Sequence, residues 1–172
     1  DEGGFTDAFG MTRRLGDDKP SDKGQYGVAM TFMAEALNNT EFGLYYLRYH
    51  SRLPYLGTIS SPYYNSPVFG NALDNALRLG TSQYVVQYPE DIRLYGLTFS
   101  TNLRTGTALQ GEVSYRPNMP IQFNGTDVIQ SLLNDADRSP LVADGIRPNA
   151  PDTLFNGYLR KEVTQAQVTA TH

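Results

Sequence analysis

Gln25-Tyr26-Gly27-Val28-Ala29-Met30-Thr31-Phe32-Met33-Ala34-Glu35-Ala36-Leu37 changes character at every step. Successive side chains of a strand point to opposite faces, so the stretch separates into two walls. Tyr26, Val28, Met30, Phe32, Ala34 and Ala36 form an apolar one. Gln25, Gly27, Ala29, Thr31, Met33 and Glu35 form a mixed one of mostly small residues. In a barrel the first wall faces lipid; in a soluble sandwich it faces the core, and the pattern of one strand does not separate the two.

Three further stretches behave alike: Glu41–Leu53, Glu90–Ser100 and Thr107–Arg116. Their connections alternate in length. Asn38-Asn39-Thr40 joins the first pair and a turn around Thr105-Gly106 the second, whereas Pro54–Pro89 lies between the pairs and Pro117–Asn156 follows the last. Strands of about ten residues with short turns at one end and long loops at the other are the pattern of an outer-membrane β-barrel. The expectation is an all-β fold, an antiparallel transmembrane β-barrel, with long extracellular loops carrying short helices. A fifth strand begins at Leu159, where Ala166, Val168 and Ala170 alternate with Gln165, Gln167, Thr169 and Thr171. The chain does not start with a signal peptide, and Thr171-His172 falls within a strand-like stretch, so both ends read as cut. About five strands do not close a barrel, and residues 1–172 are expected to be part of one barrel domain of a longer protein.

Composition narrows the function. The formal net charge is −4, which gives no basic field to hold nucleic acid. A mean hydropathy of −0.43 is too polar for a helical membrane protein but not for a barrel, where only every second strand residue meets lipid. No apolar run of about 18 residues is present, so no transmembrane helix is expected. The chain has no cysteine, hence no disulfide and no thiolate metal site. Its 12 tyrosines and absent tryptophan leave tyrosine as the residue for an interfacial aromatic girdle.

Candidate functional positions follow from the faces. In the second strand Tyr45, Leu47, Tyr49 and Leu53 share one side with Gly43 and Ser51, and Tyr46, Arg48, His50 and Arg52 the other. Three cationic or titratable groups in a row need water or counter-charge. A wet lumen supplies both, with Glu35 or Glu112 as partners; an ordinary solvated sheet face explains the same residues. In the third strand Ile92, Leu94, Gly96 and Thr98 share one side and Arg93, Tyr95, Leu97 and Phe99 the other. The pattern leaves the lipid side open; the expectation puts Tyr95, Leu97 and Phe99 outward, with Arg93 snorkelling at the rim. In the fourth, Leu109, Gly111, Val113 and Tyr115 point outward and Gln110, Glu112, Ser114 and Arg116 inward. The expected pore lining is therefore Arg48, His50, Arg52, Glu112 and Arg116.

The long connections are read as loops holding two helices. Asn71–Leu79 has Asn71 as N-cap and Gly80 to close it, and Tyr84–Tyr88 extends a strand beyond the membrane. Asp127 to about Ala136 is capped by Thr126, with Val128, Ile129, Leu132, Leu133 and Ala136 as an apolar stripe that must cover something. Packing on neighbouring loops, capping or plugging the barrel mouth, and touching a partner are the three readings; the second makes Val128, Ile129, Leu132 and Leu133 a gate.

Catalytic signatures are missing. His50 and His172 are the two histidines, with no serine or aspartate at a spacing that suggests a triad. No phosphate loop, nucleophile elbow or His-Glu-x-x-His occurs. Asp17, Asp18 and Asp22 match no calcium loop and read as solvated. No enzyme activity, metal or cofactor is expected.

Several long motifs are family-specific. Asp17-Asp18-Lys19-Pro20-Ser21-Asp22-Lys23-Gly24-Gln25, Asn38-Asn39-Thr40-Glu41-Phe42-Gly43-Leu44-Tyr45-Tyr46 and Tyr49-His50-Ser51-Arg52-Leu53-Pro54 are three of them. Tyr88-Pro89-Glu90-Asp91-Ile92-Arg93-Leu94-Tyr95-Gly96 and Gly111-Glu112-Val113-Ser114-Tyr115-Arg116-Pro117-Asn118-Met119-Pro120 complete the set. Together they resemble a proteobacterial envelope family, much seen in pseudomonads, catalogued as domain of unknown function 1302. The resemblance implies a large outer-membrane β-barrel, in contact with outer-membrane lipid, in a Gram-negative envelope. It also implies work alongside periplasmic and inner-membrane transporter components of the resistance-nodulation-division type, moving hydrophobic or amphipathic compounds. It supplies no catalytic residues. The competing readings are a non-conducting docking barrel, which would be silent in conductance, and a soluble β-rich binding protein, which would need a dry core built from the same apolar faces. A barrel hydrolase would need a nucleophile near His50.

Overall fold

The computed structural model describes residues 5–7, 10–66 and 70–172. The opening Asp1–Gly4 and Pro67 lie outside the described residues. In chain order the elements are β1 (Phe5–Asp7), β2 (Gly10–Arg14), β3 (Tyr26–Ala34), β4 (Thr40–Tyr49), β5 (Tyr55–Ile59), α1 (Asn71–Thr81), β6 (Gln83–Gln87), β7 (Ile92–Asn102), β8 (Ala108–Gln122), α2 (Gly125–Gln130), α3 (Pro140–Ala143), β9 (Leu154–Phe155) and β10 (Tyr158–Thr171). The protein is mostly β, in two sheets, and neither sheet is closed into a barrel. It divides into two compact units: Asp1–Pro20, Arg52–Tyr88 and Ile121–Leu159 make one; Ser21–Ser51, Pro89–Pro120 and Arg160–His172 make the other.

The second unit holds a five-stranded sheet of order β10-β8-β7-β4-β3. β3, β4, β7 and β8 pair antiparallel in unbroken register, from Tyr26↔Arg48 through Arg48↔Arg93 to Tyr95↔Tyr115. These are the stretches read as strands from alternation, shortened in β3 and β4, shifted two residues along in β7 and extended in β8. β3 stops at Ala34 and a 3-10 turn follows at Glu35–Leu37. Asn38 and Asn39 then take left-handed φ values of 59° and 54°, which asparagine tolerates better than most residues. Gly106, at φ 84°, reverses the chain between β7 and β8. β4 ends at Tyr49, so His50 and Arg52 lie beyond the strand that was expected to carry them. β8 runs on through Pro117 and Pro120 to Gln122. Its pairing with β7 ends at Tyr115, so neither proline removes a donor from that ladder. The two short connections sit at one end of this sheet. At the other end the chain enters β3, leaves β4, enters β7, leaves β8 and enters β10.

The first unit gathers the segments expected as loops, and they contain more structure than that. Its sheet has the order β1-β2-β6-β5-β9, with β2 and β6 parallel and β5 antiparallel to both β6 and β9. The stretch Tyr84–Tyr88, read as a strand extension, is instead mostly β6 of this separate sheet. α1 continues past Gly80 to Thr81, and its N-cap is Gly70, not Asn71. α2 begins at Gly125 and is capped by Asn124, whose side chain accepts from the Thr126 N–H at 2.9 Å. It tightens into a 3-10 turn at Ser131–Leu133 and ends at Asn134 (φ 54°), short of Ala136. The core of the unit comprises Leu79, Leu132 and Leu133 in one cluster and Val128, Leu141 and Phe155, with Leu56 and Phe123 against them, in another.

Candidate functional site

The register of the second unit decides which residues share a face, because residues directly opposite in an antiparallel pair project to the same side. One side carries Tyr26, Val28, Met30 and Phe32 from β3, then Phe42, Leu44 and Tyr46 from β4. Tyr95, Leu97 and Phe99 continue it on β7 and Leu109, Val113 and Tyr115 on β8. These side chains are not covered: Val28 is 62% exposed, Met30 54%, Leu97 46% and Val113 45%. Four tyrosines form a row across the strands, with ring centroids 5.9 Å apart for Tyr26–Tyr46, 5.1 Å for Tyr46–Tyr95 and 6.4 Å for Tyr95–Tyr115. Towards the short turns Phe32 stacks on Phe42 at 5.5 Å. Phe99 lies across Gly111, where an added Cβ would come within 2.2 Å of the ring, so the glycine is what lets the ring lie flat. Among them Val28, Met30, Leu44, Tyr46 and Tyr95 line a shallow apolar hollow of about 420 Å³.

The other side is mixed, with small and polar residues beside an apolar pair, Leu47 and Leu94, that is in register on β4 and β7. Glu41, Thr98, Ser100, Gln110, Glu112, Gln167 and Thr169 border an open hollow of about 300 Å³. Arg116 lies at the same side, its Nη1 donating to Gln165 Oε1 at 2.7 Å. Gln165, Gln167 and Thr169 of β10 thus join the polar side, which leaves Ala166, Val168 and Ala170 on the apolar one. Tyr45 and Leu47 also point to the polar side. Tyr45 lies over Gly43, where a Cβ would meet its hydroxyl at 2.5 Å.

This register corrects the expected pore lining. Glu112 and Arg116 share the polar side, but Arg48 is opposite Tyr26 and beside Arg93 on the apolar one. The alternation of β4 was read with its faces exchanged. Arg48 sits where Arg93 was expected to sit, beyond the tyrosine row, and the two like charges in register are relieved by Asp91. Arg48 Nε and Nη2 both donate to Asp91 Oδ1, at 2.9 and 2.6 Å. Arg52 is an exposed residue of the other unit.

His50 is not offered to a solute or a nucleophile. It is 4% exposed. Its Nδ1 accepts from the Asp91 N–H at 3.0 Å, which puts the proton of the neutral ring on Nε2, 2.8 Å from the Lys23 carbonyl. Its own N–H donates to Gln25 Oε1 at 3.2 Å. Asn118 donates to the Asp91 carbonyl at 2.7 Å and accepts from the Arg93 N–H at 3.0 Å. Arg160 donates to the Glu90 carbonyl at 2.7 Å. The end of the sheet is thus knotted by residues from the lead into β3, the exit of β4, the entry of β7, and β8 and β10. Asp91 adopts a φ of 61° within this knot. Hydrogen bonds from Arg48 hold its carboxyl below the usual carboxylate range.

A folded value below the unfolded one means that the Asp91 contribution is present above the unfolded value, near pH 4, and is lost as pH falls through the folded value. The group is half exposed, at 48%, so the contribution is below about 1 kcal/mol. Asp91→Asn, which keeps the tolerance for left-handed backbone, should flatten the fall in denaturant midpoint between pH 5 and 3. Identical pH profiles for wild type and variant would remove the ion pair from the account.

The stripe expected as a gate lies in the core of its own unit. Val128 and Leu132 are fully buried and Leu133 is 6% exposed; Ile129 is half-buried. Burial leaves Val128, Leu132 and Leu133 no free apolar surface for a mouth or a partner, and packing on neighbouring segments accounts for them. Asp17 pairs with Arg14 at 2.7 Å, and no cluster of metal-ligating side chains occurs among the described residues. No helix among them is long and apolar enough to cross a membrane.

Sequence reading missed the tyrosine row, although its signal was present: Tyr26, Tyr46, Tyr95 and Tyr115 sit near the same ends of their strands. It also missed Asp91 and Asn118, which join distant chain segments and have no local pattern.

Comparison with known families matches residues 4–172 to the family described as protein of unknown function (DUF1302). The match covers nearly the whole chain, and the chain belongs to this family. No curated protein and no solved structure matches.

Proposed function

We propose that this member of the family contributes part of the wall of an outer-membrane β-barrel that passes amphipathic compounds, together with periplasmic and inner-membrane transport components. The observation that carries this reading is the single apolar face shared by β3, β4, β7, β8 and β10, edged by the tyrosine row and backed by a polar face. A water-soluble protein rarely leaves so large an apolar surface uncovered, whereas a barrel in lipid requires one. β3, β4 and β7, at 9, 10 and 11 residues, match the length of a membrane-crossing strand. The tyrosines serve as the interfacial girdle, and Arg48 and Arg93 extend past it towards headgroups.

The polar face is the wet interior in this reading. It offers carboxylates, hydroxyls and amides beside an apolar patch of Tyr45, Leu47 and Leu94, a combination that suits the two ends of an amphipathic compound. Five strands leave both edges of the sheet open, and open edges do not persist in lipid. Because neighbours alternate in direction, β3 and β10 run the same way. Closure by antiparallel pairing therefore takes an odd number of further strands.

The test is migration of the full-length protein from isolated outer membranes on a detergent gel. Faster migration before heating is expected for a closed barrel; identical migration with recovery in the soluble fraction would sink the proposal. The interior assignment has its own test. Glu41 and Glu112 border the hollow, so Glu112→Lys should shift ion selectivity in planar bilayers towards anions relative to wild type. Unchanged ion selectivity would take Glu112 off the path.

A further inference from the structure

The first unit holds a buried arginine with an unused binding edge. Arg147 is 4% exposed. Its Nη1 donates to Thr58 Oγ1 at 2.7 Å and to Ser131 Oγ at 2.9 Å. The rings of Tyr64 and Phe155 each lie 5.3 Å from its guanidinium carbon. Its Nε and Nη2 are closed to solvent and make no well-formed hydrogen bond among the described residues, although the Tyr64 hydroxyl is close enough to interact with the guanidinium. No acidic side chain pairs with it there either; the ion pairs found involve Arg14, Arg48 and Arg138.

Two aromatic rings and one hydroxyl-bonded edge account for most of the guanidinium. The Nε and Nη2 hydrogens point the same way and form the edge that grips a carboxylate or phosphate with two parallel bonds. Arg48 uses this same pair of atoms on Asp91. Burial pushes the Arg147 guanidinium down from its ordinary value, yet arginine remains charged in proteins. Aromatic contact offsets part of the cost of burying that charge, and hydroxyl groups carry no counter-charge. A charge held this way is costly unless an anion meets it.

We infer that the Nε–Nη2 edge of Arg147 is a receptor for an oxyanion, the carboxylate or phosphate group of a ligand from outside the chain. Two sources share that chemistry: a small free anion, and the charged head of an amphipathic compound. The inference does not depend on the barrel reading, since it concerns the other unit and would hold in a soluble protein.

The test uses the full-length protein, equilibrated overnight because the edge is closed to solvent, and melted in chloride, acetate, inorganic phosphate or dodecanoate at matched ionic strength. Wild type should melt about 2–4 °C higher with an oxyanion than with chloride. Arg147→Met should lose that rise. Arg147→Lys, which keeps the charge but lacks the planar fork, should lose most of it and covers the case in which the methionine variant does not fold. A rise with acetate and phosphate identifies the free group as sufficient; a rise with dodecanoate alone identifies the head of an amphipath, and both support the inference. No oxyanion-specific rise in wild type, or an equal rise in Arg147→Lys, overturns it. So does an Arg147→Met protein more stable than wild type in every buffer, the behaviour of a buried charge that nothing meets.

Discussion

In the proposed barrel, Leu97→Arg is expected to destabilise the protein folded in a lipid bilayer by about 2–4 kcal/mol, the cost of a cation on the lipid side near mid-depth. Leu97 lies on the apolar face between Leu44 and Val113, its register partners on β4 and β8. It is 46% exposed, so the substitution removes no buried contact that could explain a large loss in water. Thr98→Arg provides the comparison. Thr98 is the next residue of β7 and borders the polar hollow of about 300 Å³ opposite. A cation there has room and Glu112 as its register partner, and should cost less than about 1 kcal/mol. Urea titration of both variants folded into vesicles checks the pair. Equal losses, or a larger loss at Thr98, would mean that the two faces have been assigned the wrong way round.

Gly157→Ala should be the most damaging small substitution in the first unit. A Cβ at Gly157 would stand 1.9 Å from the Leu56 carbonyl oxygen and 2.9 Å from Gln122 Nε2. The first contact is backbone in β5 and does not swing away as a side chain would. The Gly157 carbonyl also accepts from the Phe123 N–H at 2.9 Å and from Gln122 Nε2 at 2.5 Å, so displacing it strains several bonds together. A loss of about 3 kcal/mol, the upper end for overpacking, is expected. Gly80→Ala serves as control. Nothing lies within 4 Å of its added Cβ, and Gly80 is inside α1, so alanine should stabilise by about 0.5–1 kcal/mol. Denaturant midpoints of the two variants decide the matter; a Gly157→Ala protein as stable as wild type would contradict the packing at this junction.

Alternation made the five strands of the second unit readable, because a half-exposed sheet writes its period into the sequence. Faces on β3 and β8 follow from the apolar residues alone; on β7, Ile92 and Leu94 on one side compete with Tyr95, Leu97 and Phe99 on the other. β4 resists that reading: Tyr45 and Leu47 on one side look as apolar as Leu44 and Tyr46 on the other, and the charge of Arg48 pointed to the wet side. Its register with Tyr26 and Arg93 resolves the choice, and register is a property of pairs of strands that one strand does not contain. The first unit was legible at α1, at α2 and at Tyr84–Tyr88, which was read as strand but not as part of a second sheet. β5 and β9 are 5 and 2 residues long, too short for a period to show. The Arg147 site was equally silent, since Thr58, Tyr64, Ser131 and Phe155 come together only through folding.

The most direct test of the two-faced wall uses the absence of cysteine from the chain. Single cysteines at Val28, Leu97 and Val113, and at Thr98, Gln110 and Glu112, would each carry a nitroxide in the full-length protein reconstituted into bilayers. Collision with oxygen, which concentrates in lipid, should be high for the first three, and collision with a water-soluble nickel complex high for the second three. Alternation along β7 between Leu97 and Thr98 is the predicted result. High nickel accessibility at Val28, Leu97 and Val113 would contradict the account, because it would put the apolar face in water.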